Sequence, residues 1–286
     1  MLRDARVGRV RIQSNMRASL WFVVGMLPSA LLGCQSAPTT QSGAVGVDRQ
    51  QTMLVSAEEL DRSAAQAYRR ELSAAARVGR LNRDPQQVAR VRTIAVRLIS
   101  QTGTFRADAP GWSWETNVLS AKAVNAWCMP GGKMAVYTGL IQELTPTDDE
   151  LAAIMGHEIA HALREHGRER ASQAMATAIG LNILGAATGM SRSTIDLSSI
   201  VIDVTVMKPN SREHESEADR IGVELAARAG YDPRAAISLW QKMRGLGESQ
   251  PPEFLSTHPS TETRIADLRV YAARVMTLYE RARKGG

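Results

Sequence analysis

The segment His157-Glu158-Ile159-Ala160-His161 decides both the fold and the chemistry of this chain. Two histidines four residues apart lie one above the other on a helix, so both imidazoles can reach one metal ion at about 2.0–2.1 Å. Glu158 is offset around the helix, where it can polarise a water molecule on the metal. The alternative is a helix with two incidental histidines. With 5 histidines in 286 residues, this pattern arises by chance in roughly one chain in two hundred.

Helical patterns surround this segment on both sides. Thr147 and Glu150 form a capping-box pattern and Gly167 follows as a stop, so the pattern predicts a helix over 148–166. Further helices are predicted at 57–79, 85–100, 211–230, from Asp232-Pro233 onward, and at 260–283. Short strands are predicted at 112–116 and 133–138. We therefore expect an α+β fold that is mainly helical, with a small β-sheet.

A second helical stretch, Ser211-Arg212-Glu213-His214-Glu215-Ser216-Glu217-Ala218-Asp219, offers the third metal ligand. Two histidines and one glutamate, with one open position, are an established set for catalytic zinc. Glu213, Glu215 and Glu217 are all candidates. Glu215 is favoured because Asp219 follows four residues later on the same face, where a carboxylate can accept the second ring N–H of a ligating histidine. The alternative is an acidic, solvated helix surface.

The motifs of this chain resemble those of the gluzincin metallopeptidases that include HtpX, BepA and the CaaX prenyl proteases. The resemblance covers roughly residues 55–285 and rests on HEIAH, SREHESEAD, Ser256-Thr257-His258-Pro259 followed by Arg264, and the upstream NAWCMPGG at 125–132. It implies a zincin-type domain with a HExxH active-site helix and one Zn²⁺ per chain. The chain departs from BepA in one respect, since we expect a small lipoprotein member without the C-terminal repeat domain.

The resemblance assigns roles to individual residues. It implies that Glu215 is the third zinc ligand beside His157 and His161, and that Asp219 orients a ligating histidine. His258 approaches the metal site in relatives, where it either ligates the metal as a gate or assists catalysis, and Arg264 helps to bind the developing oxyanion. The plainer alternative for His258 is a helix N-terminal residue. We expect His166 and His214 to lie at the surface or behind the ligands rather than to ligate.

The N-terminal region predicts export and lipid attachment. A basic stretch precedes an apolar run at 20–32, and Leu31-Leu32-Gly33-Cys34 is similar to a bacterial lipobox. We expect a signal peptide at 1–33, starting at Met1 or Met16, acylation of Cys34, a flexible tether at 34–55 and a metallopeptidase domain at 56–286. An uncleaved membrane anchor is the alternative. Gln35 after the cysteine favours the outer membrane.

The formal charge of +6 does not indicate nucleic-acid binding. The first 33 residues hold five arginines and one aspartate, so they contribute +5 − 1 = +4 and the rest of the chain carries only +2. The stretch 171–191 has no charged residue. We expect an apolar helix or hairpin packed beside the active site, with membrane insertion as the alternative.

Together these features predict a zinc metalloendopeptidase in the bacterial envelope, facing the periplasm. Glu158 is its expected base, and the expected substrates are unfolded or misfolded envelope proteins. The strand at 133–138 is expected to offer an edge for the peptide, with Met134, Ala135, Val136 and Tyr137 in contact with substrate. The competing hypothesis is a catalytically silent, metal-stabilised chaperone or assembly factor, against which the intact Glu158 argues.

Overall fold

The computed structural model describes residues 35–188, 196–246, 253–259 and 262–284. The predicted signal peptide at 1–33 and the predicted lipidation site Cys34 lie outside these ranges. The chain divides into the units Met1–Gln35 and Ser36–Gly286, and the second holds the described helices and the main sheet.

Helices dominate this second unit, and most begin where the sequence predicts. Those before and through the HExxH segment are α1 (Ala57–Arg77), α2 (Pro85–Ile99), α3 (Thr138–Leu144), α4 (Asp148–Leu163) and α5 (His166–Thr188). Those after it are α6 (Leu197–Ile202), which continues into a π-helical turn (Asp203–Met207), α7 (Arg212–Arg228), α8 (Ala235–Leu246), α9 (Glu253–Thr257) and α10 (Glu262–Lys284). Two 3-10 turns, Thr102–Thr104 and Ala109–Gly111, precede the main sheet.

Five strands complete the fold. β1 (Gln35–Ala37) and β2 (Gln51–Met53) form a two-stranded sheet, while β3 (Glu115–Leu119), β4 (Ala126–Met129) and β5 (Lys133–Tyr137) form a second sheet in the order β3-β5-β4. β5 pairs parallel with β3 and antiparallel with β4, so it lies in the centre. The strand predicted at 112–116 begins only at Glu115, because Trp112 and Trp114 donate their indole N–H groups to Asp108 and to the carbonyl of Ala109 in the preceding turn.

The HExxH helix α4 is buried along almost its whole length. Its predicted capping box is present: the Thr147 hydroxyl accepts from the Glu150 N–H (3.2 Å), and the Glu150 carboxylate accepts from the Thr147 N–H (2.9 Å). The helix ends at Leu163 rather than at the predicted His166, because Glu165 adopts a left-handed φ of 52° and α5 starts at the next residue.

α4 crosses α7 at two glycines beside the first histidine of the motif. A Cβ atom on Gly222 would lie 2.8 Å from the backbone nitrogen of His157, and one on Gly156 would lie 2.9 Å from the carbonyl oxygen of Gly222. Both distances are shorter than real Cβ contacts, so only glycine permits this approach. The crossing brings the histidine face of α4 against the acidic face of α7.

Residues 38–55 pack against the domain instead of forming the flexible tether predicted at 34–55. Val45, Val47 and Val55 are at most 3% exposed. The backbone N–H of Val45 donates to the carboxylate of buried Glu224 in α7 (3.0 Å). Burial of apolar side chains and pairing of backbone groups both oppose a mobile tether. The packed domain therefore begins well before residue 56.

The uncharged stretch at 171–191 lies largely in α5, and residues 189–191 are outside the described ranges. The base of α5 is packed, with Ala171 fully buried, whereas Ile179, Leu181, Ile183 and Leu184 are 46–67% exposed. The second half of the helix thus differs from the packed helix that the sequence predicts. None of the described helices is long and apolar enough to cross a membrane.

Candidate metal centre

Four buried side chains converge where α4 and α7 cross. One possible ligand atom from each of His157, His161, Glu215 and His258 lies within 4.8 Å of all the others. Nε2 of His157 is 3.1 Å from Nε2 of His161, and Nδ1 of His258 is 2.9 Å from Oε1 of Glu215. Nitrogen and carboxylate donors at such separations can share one small cation.

Local helix geometry positions the ligands on α4 and α7. His157 and His161 are one turn apart on α4, as the i, i+4 spacing predicts. Ser211 caps the start of α7, because its hydroxyl accepts from the N–H of His214 (3.1 Å), and this cap sets Glu215 one turn into the helix. Glu215 is 1% exposed, whereas the side chain of the rival candidate Glu213 is 62% exposed. The structure therefore brings Glu215 into the cluster and leaves Glu213 outside it.

Asp219 holds His157 from behind, as its spacing predicts. The Nδ1–H of His157 donates to Oδ1 of Asp219 (3.0 Å), so Nε2 is the ring nitrogen that faces the cluster. Arg264 in turn donates to both oxygens of Asp219 (2.7 and 2.8 Å) and pairs with Glu215 (2.7 Å). The guanidinium thus steadies two carboxylates of the site. It lines a separate cavity of about 190 Å³ rather than the one in front of Glu158. Its predicted contact with an oxyanion stays a prediction.

His258 follows the short helix α9 and is held by an aromatic partner. Its ring stacks on Phe254 with centroids 4.3 Å apart, and its Nε2 lies 3.5 Å from Oε1 of Glu158. His258 is buried, so the plainer interpretation as a simple helix N-terminal residue does not describe it. It occupies the position between the metal ligands and Glu158 that both the gate and the catalytic-helper hypotheses require.

Glu158 is a buried carboxylate with an unused oxygen. Its Oε1 has no hydrogen-bond partner among the described residues. Burial raises its pKa above the ordinary value, against the opposing effect of His258. A raised pKa suits a group that takes up and releases a proton near neutral pH.

The donor set fits a divalent cation such as zinc. Although burial opposes it, the positive potential of His258 and Arg264 lowers the pKa of Glu215 well below its usual range, so the carboxylate stays ionised. Burial lowers the pKa of His161, which keeps its imidazole neutral. Although burial opposes it, hydrogen bonds to Asp219 and Glu215 raise the pKa of His157 to about 9, so a bound cation would displace a proton from this ring.

The cavity in front of these groups is small, about 20 Å³, which is room for one water molecule. Its walls come from β4 (Cys128), α4 (Glu158 and His161), the π-helical turn (Val204 and Thr205) and the two residues Asn210 and His258. A peptide does not fit into this volume, so the site is closed to substrate in this conformation.

The strand at 133–138 does not have the free edge that the sequence analysis expected for substrate binding. Met134, Ala135, Val136 and Tyr137 lie in β5, whose backbone pairs with β3 on one side and β4 on the other. A central strand has no free edge, so the prediction that a peptide adds to it is wrong. The strand that ends the sheet and borders the cavity is β4. Sequence order alone could not reveal this, because the sheet order depends on how β3 crosses over to pair with β5.

The sequence did not indicate which groups His166 and His214 contact. Both are buried behind the ligands, one of the two places expected for them, and their rings stack with centroids 4.2 Å apart. His166 contacts His161, and burial lowers the pKa of His166 to about 3, so its ring is neutral. The spacing of five residues between His161 and His166 was a usable signal, since it brings the second ring just past the end of α4.

Comparison with known proteins agrees with this geometry. Peptidase family M48 matches residues 85–272. The mitochondrial metalloendopeptidase OMA1 of Arabidopsis thaliana is 39% identical over 154 residues, which are 54% of this chain and 30% of that protein. OMA1 of Saccharomyces cerevisiae is 31% identical over 181 residues, 60% of this chain and 51% of that protein.

A bacterial relative matches as well. The beta-barrel assembly-enhancing protease of Escherichia coli strain K12 is 26% identical over 195 residues, which are 65% of this chain and 39% of that protein. The chain thus spans between about a third and a half of the length of these three relatives.

Proposed function

Because the chain belongs to peptidase family M48, we propose that it is a zinc metalloendopeptidase that hydrolyses internal peptide bonds. The observation that carries the proposal is the cluster of His157, His161 and Glu215 beside Glu158, whose Oε1 has no hydrogen-bond partner among the described residues. These three residues would hold one Zn²⁺, which when bound supplies a Lewis acid that acidifies water and polarises a carbonyl.

Three residues around this centre have separate roles in the reaction. Glu158 accepts a proton from the attacking water and later gives it to the leaving amine, for which its buried and partly unsatisfied carboxyl group is suited. Asp219 keeps His157 in one tautomer and orientation through the 3.0 Å bond to Nδ1. Arg264 keeps Asp219 and Glu215 ionised and in place.

We propose that the peptide binds along β4, in place of the strand at 133–138. β4 lies at the end of its sheet, and Cys128 in β4 lines the same cavity as Glu158. A peptide that extends the sheet there passes in front of Glu158, and main-chain hydrogen bonds hold it with little dependence on sequence. Such weak selectivity suits a protease that removes unfolded proteins.

Substrate entry needs a rearrangement, because a cavity of about 20 Å³ has no room for a peptide. Val204 and Thr205 of the π-helical turn line this cavity together with His258. Nδ1 of His258 is 3.2 Å from Nε2 of His157 and 2.9 Å from Glu215, within reach of the same cation. We propose that His258 occupies the open metal position at rest and withdraws with the turn when a peptide binds.

The setting that we propose is the bacterial envelope, with lipid on Cys34 anchoring the chain, in the outer membrane, and misfolded envelope proteins as substrates. A relative named as a beta-barrel assembly-enhancing protease supports an envelope role. A metal-stabilised chaperone without catalysis is the competing function, and it makes the opposite prediction in a cleavage assay.

The decisive experiment joins metal analysis to a casein cleavage assay on the purified chain, with Glu158→Gln as the control. We expect one zinc per chain in both proteins and cleavage by the wild type alone. Zinc without cleavage by the wild type favours the chaperone, and a chain without any bound divalent metal contradicts the proposal altogether.

A further inference from the structure

A line of buried polar groups runs from the ligand His161 to the N-terminal segment. Nδ1 of His161 is 2.8 Å from Nδ1 of His166, and Nε2 of His166 is 2.9 Å from Oε2 of Glu217. Arg164 and Arg49 each donate to both oxygens of Glu217, over 2.8 to 3.3 Å. Two guanidinium groups therefore converge on the carboxylate that faces His166.

Glu217 determines which ring nitrogens carry protons. An ionised carboxylate only accepts hydrogen bonds, so His166 presents Nε2–H to it. In a neutral ring Nδ1 of His166 is then an acceptor, and it receives the Nδ1–H of His161. This leaves Nε2 of His161 as a bare lone pair, 3.1 Å from Nε2 of His157 and facing the cluster.

Arg49 and Arg164 hold the Glu217 carboxylate where it accepts from His166, because each of them bonds both of its oxygens.

Arg49 supports His166 by a second route. It makes two bonds to Glu169 in α5 (2.7 and 2.8 Å), and Glu169 accepts from Nε2 of His214 (3.1 Å). The His214 ring stacks on His166. Arg49 thus bonds Glu217, which contacts His166, and also bonds Glu169, which contacts His214, whose ring stacks on His166.

From this geometry we propose that His166 is a positioning residue that sets the tautomer of the metal ligand His161, and that Arg49 completes its support. Arg49 lies outside the family match at 85–272, so the N-terminal segment supplies part of the metal centre. The inference rests on the proposed function, since it concerns the same zinc site.

The test compares two substitutions of nearly equal shape, His166→Asn and His166→Leu, in the full-length chain. Asparagine keeps an acceptor for the Nδ1–H of His161 and leucine does not. Competition with a chelator should show zinc affinity about 10- to 100-fold weaker for His166→Leu, as for other lost partners of ligating histidines, and largely restored in His166→Asn. Equal affinities of the two variants, or a wild-type value for His166→Leu, would overturn the proposal.

A second matched pair tests the arginine. Arg49→Met should weaken zinc binding several-fold, whereas Arg106→Met should not, because Arg106 bridges Asp108 and Glu165 at similar exposure (18% against 23%) without contacting Glu217. Equal zinc affinities of these variants contradict the role of Arg49, and this pair decides the question if His166→Leu does not fold. A wild-type chain that binds no zinc would instead refute the proposed function.

Discussion

The close approach of α4 and α7 at Gly156 and Gly222 leads to a quantitative prediction. In Gly222→Ala the new methyl group would start 2.8 Å from the His157 nitrogen and 2.9 Å from its Cα, so the two backbones must separate by about 0.6 Å to reach an ordinary 3.4 Å contact. Overpacking of this kind costs about 3 kcal/mol, at the upper end of its range, because backbone yields less than side chains. The higher helix propensity of alanine offsets about 1 kcal/mol of this loss. We expect a net loss of about 2 kcal/mol in the free energy of unfolding.

The same displacement would change the distances between the metal ligands. His157 lies on α4 and Glu215 on α7, so a separation of about 0.6 Å exceeds the tolerance of about 0.2 Å in metal–ligand distances. Gly222→Ala should therefore also bind zinc more weakly. Gly245→Ala in α8 is the matched control, since no described atom beyond its own helix turn lies within 4 Å of a Cβ added there, and it should gain up to about 1 kcal/mol. Urea unfolding and chelator competition measure both quantities. Wild-type stability and zinc affinity in Gly222→Ala would refute the reasoning.

Four further substitutions test individual residues. Glu158→Gln should lower peptide cleavage by about 10²- to 10⁴-fold while zinc content stays at one per chain, and near-normal turnover would remove Glu158 from the mechanism. Glu215→Ala should lose zinc where the exposed Glu213→Ala keeps it, and the reverse result in metal analysis would show that the third ligand is misassigned. His258→Ala should raise basal casein cleavage if the imidazole blocks the open position, whereas a fall would favour the catalytic-helper role. Cys34→Ser should abolish incorporation of labelled fatty acid, and persistent labelling would end the lipoprotein hypothesis.

The sequence was most informative where one helix carries the chemistry. Helical spacing alone brings His157 above His161 and Asp219 one turn after Glu215, and the structure reproduces both relations. Capping residues likewise placed the start of α4 correctly, because caps act within four residues. These features depend on local geometry, which a sequence records directly.

The sequence could not indicate which strands and side chains far apart in the chain contact each other. β4 and β5 are adjacent in the chain, and nothing in their composition tells which of them β3 joins. Arg49 looks like an ordinary charge in a polar stretch, and only the fold brings it to Glu217 and Glu169. Burial alternates from Gln51 to Val55, but the sequence does not show it, because the polar Gln51 is buried and the apolar Leu54 is exposed.

The cavity of about 20 Å³ also shapes how the centre meets inhibitors. A hydroxamate or similar chelating drug is far larger than one water molecule, so it can reach the ligands only after the π-helical turn and His258 have moved. Inhibition should then set in slowly, with an onset rate that levels off at high inhibitor concentration at the rate of opening. Compounds selected by brief incubation would be scored as inactive against this protein, whereas long preincubation would reveal them.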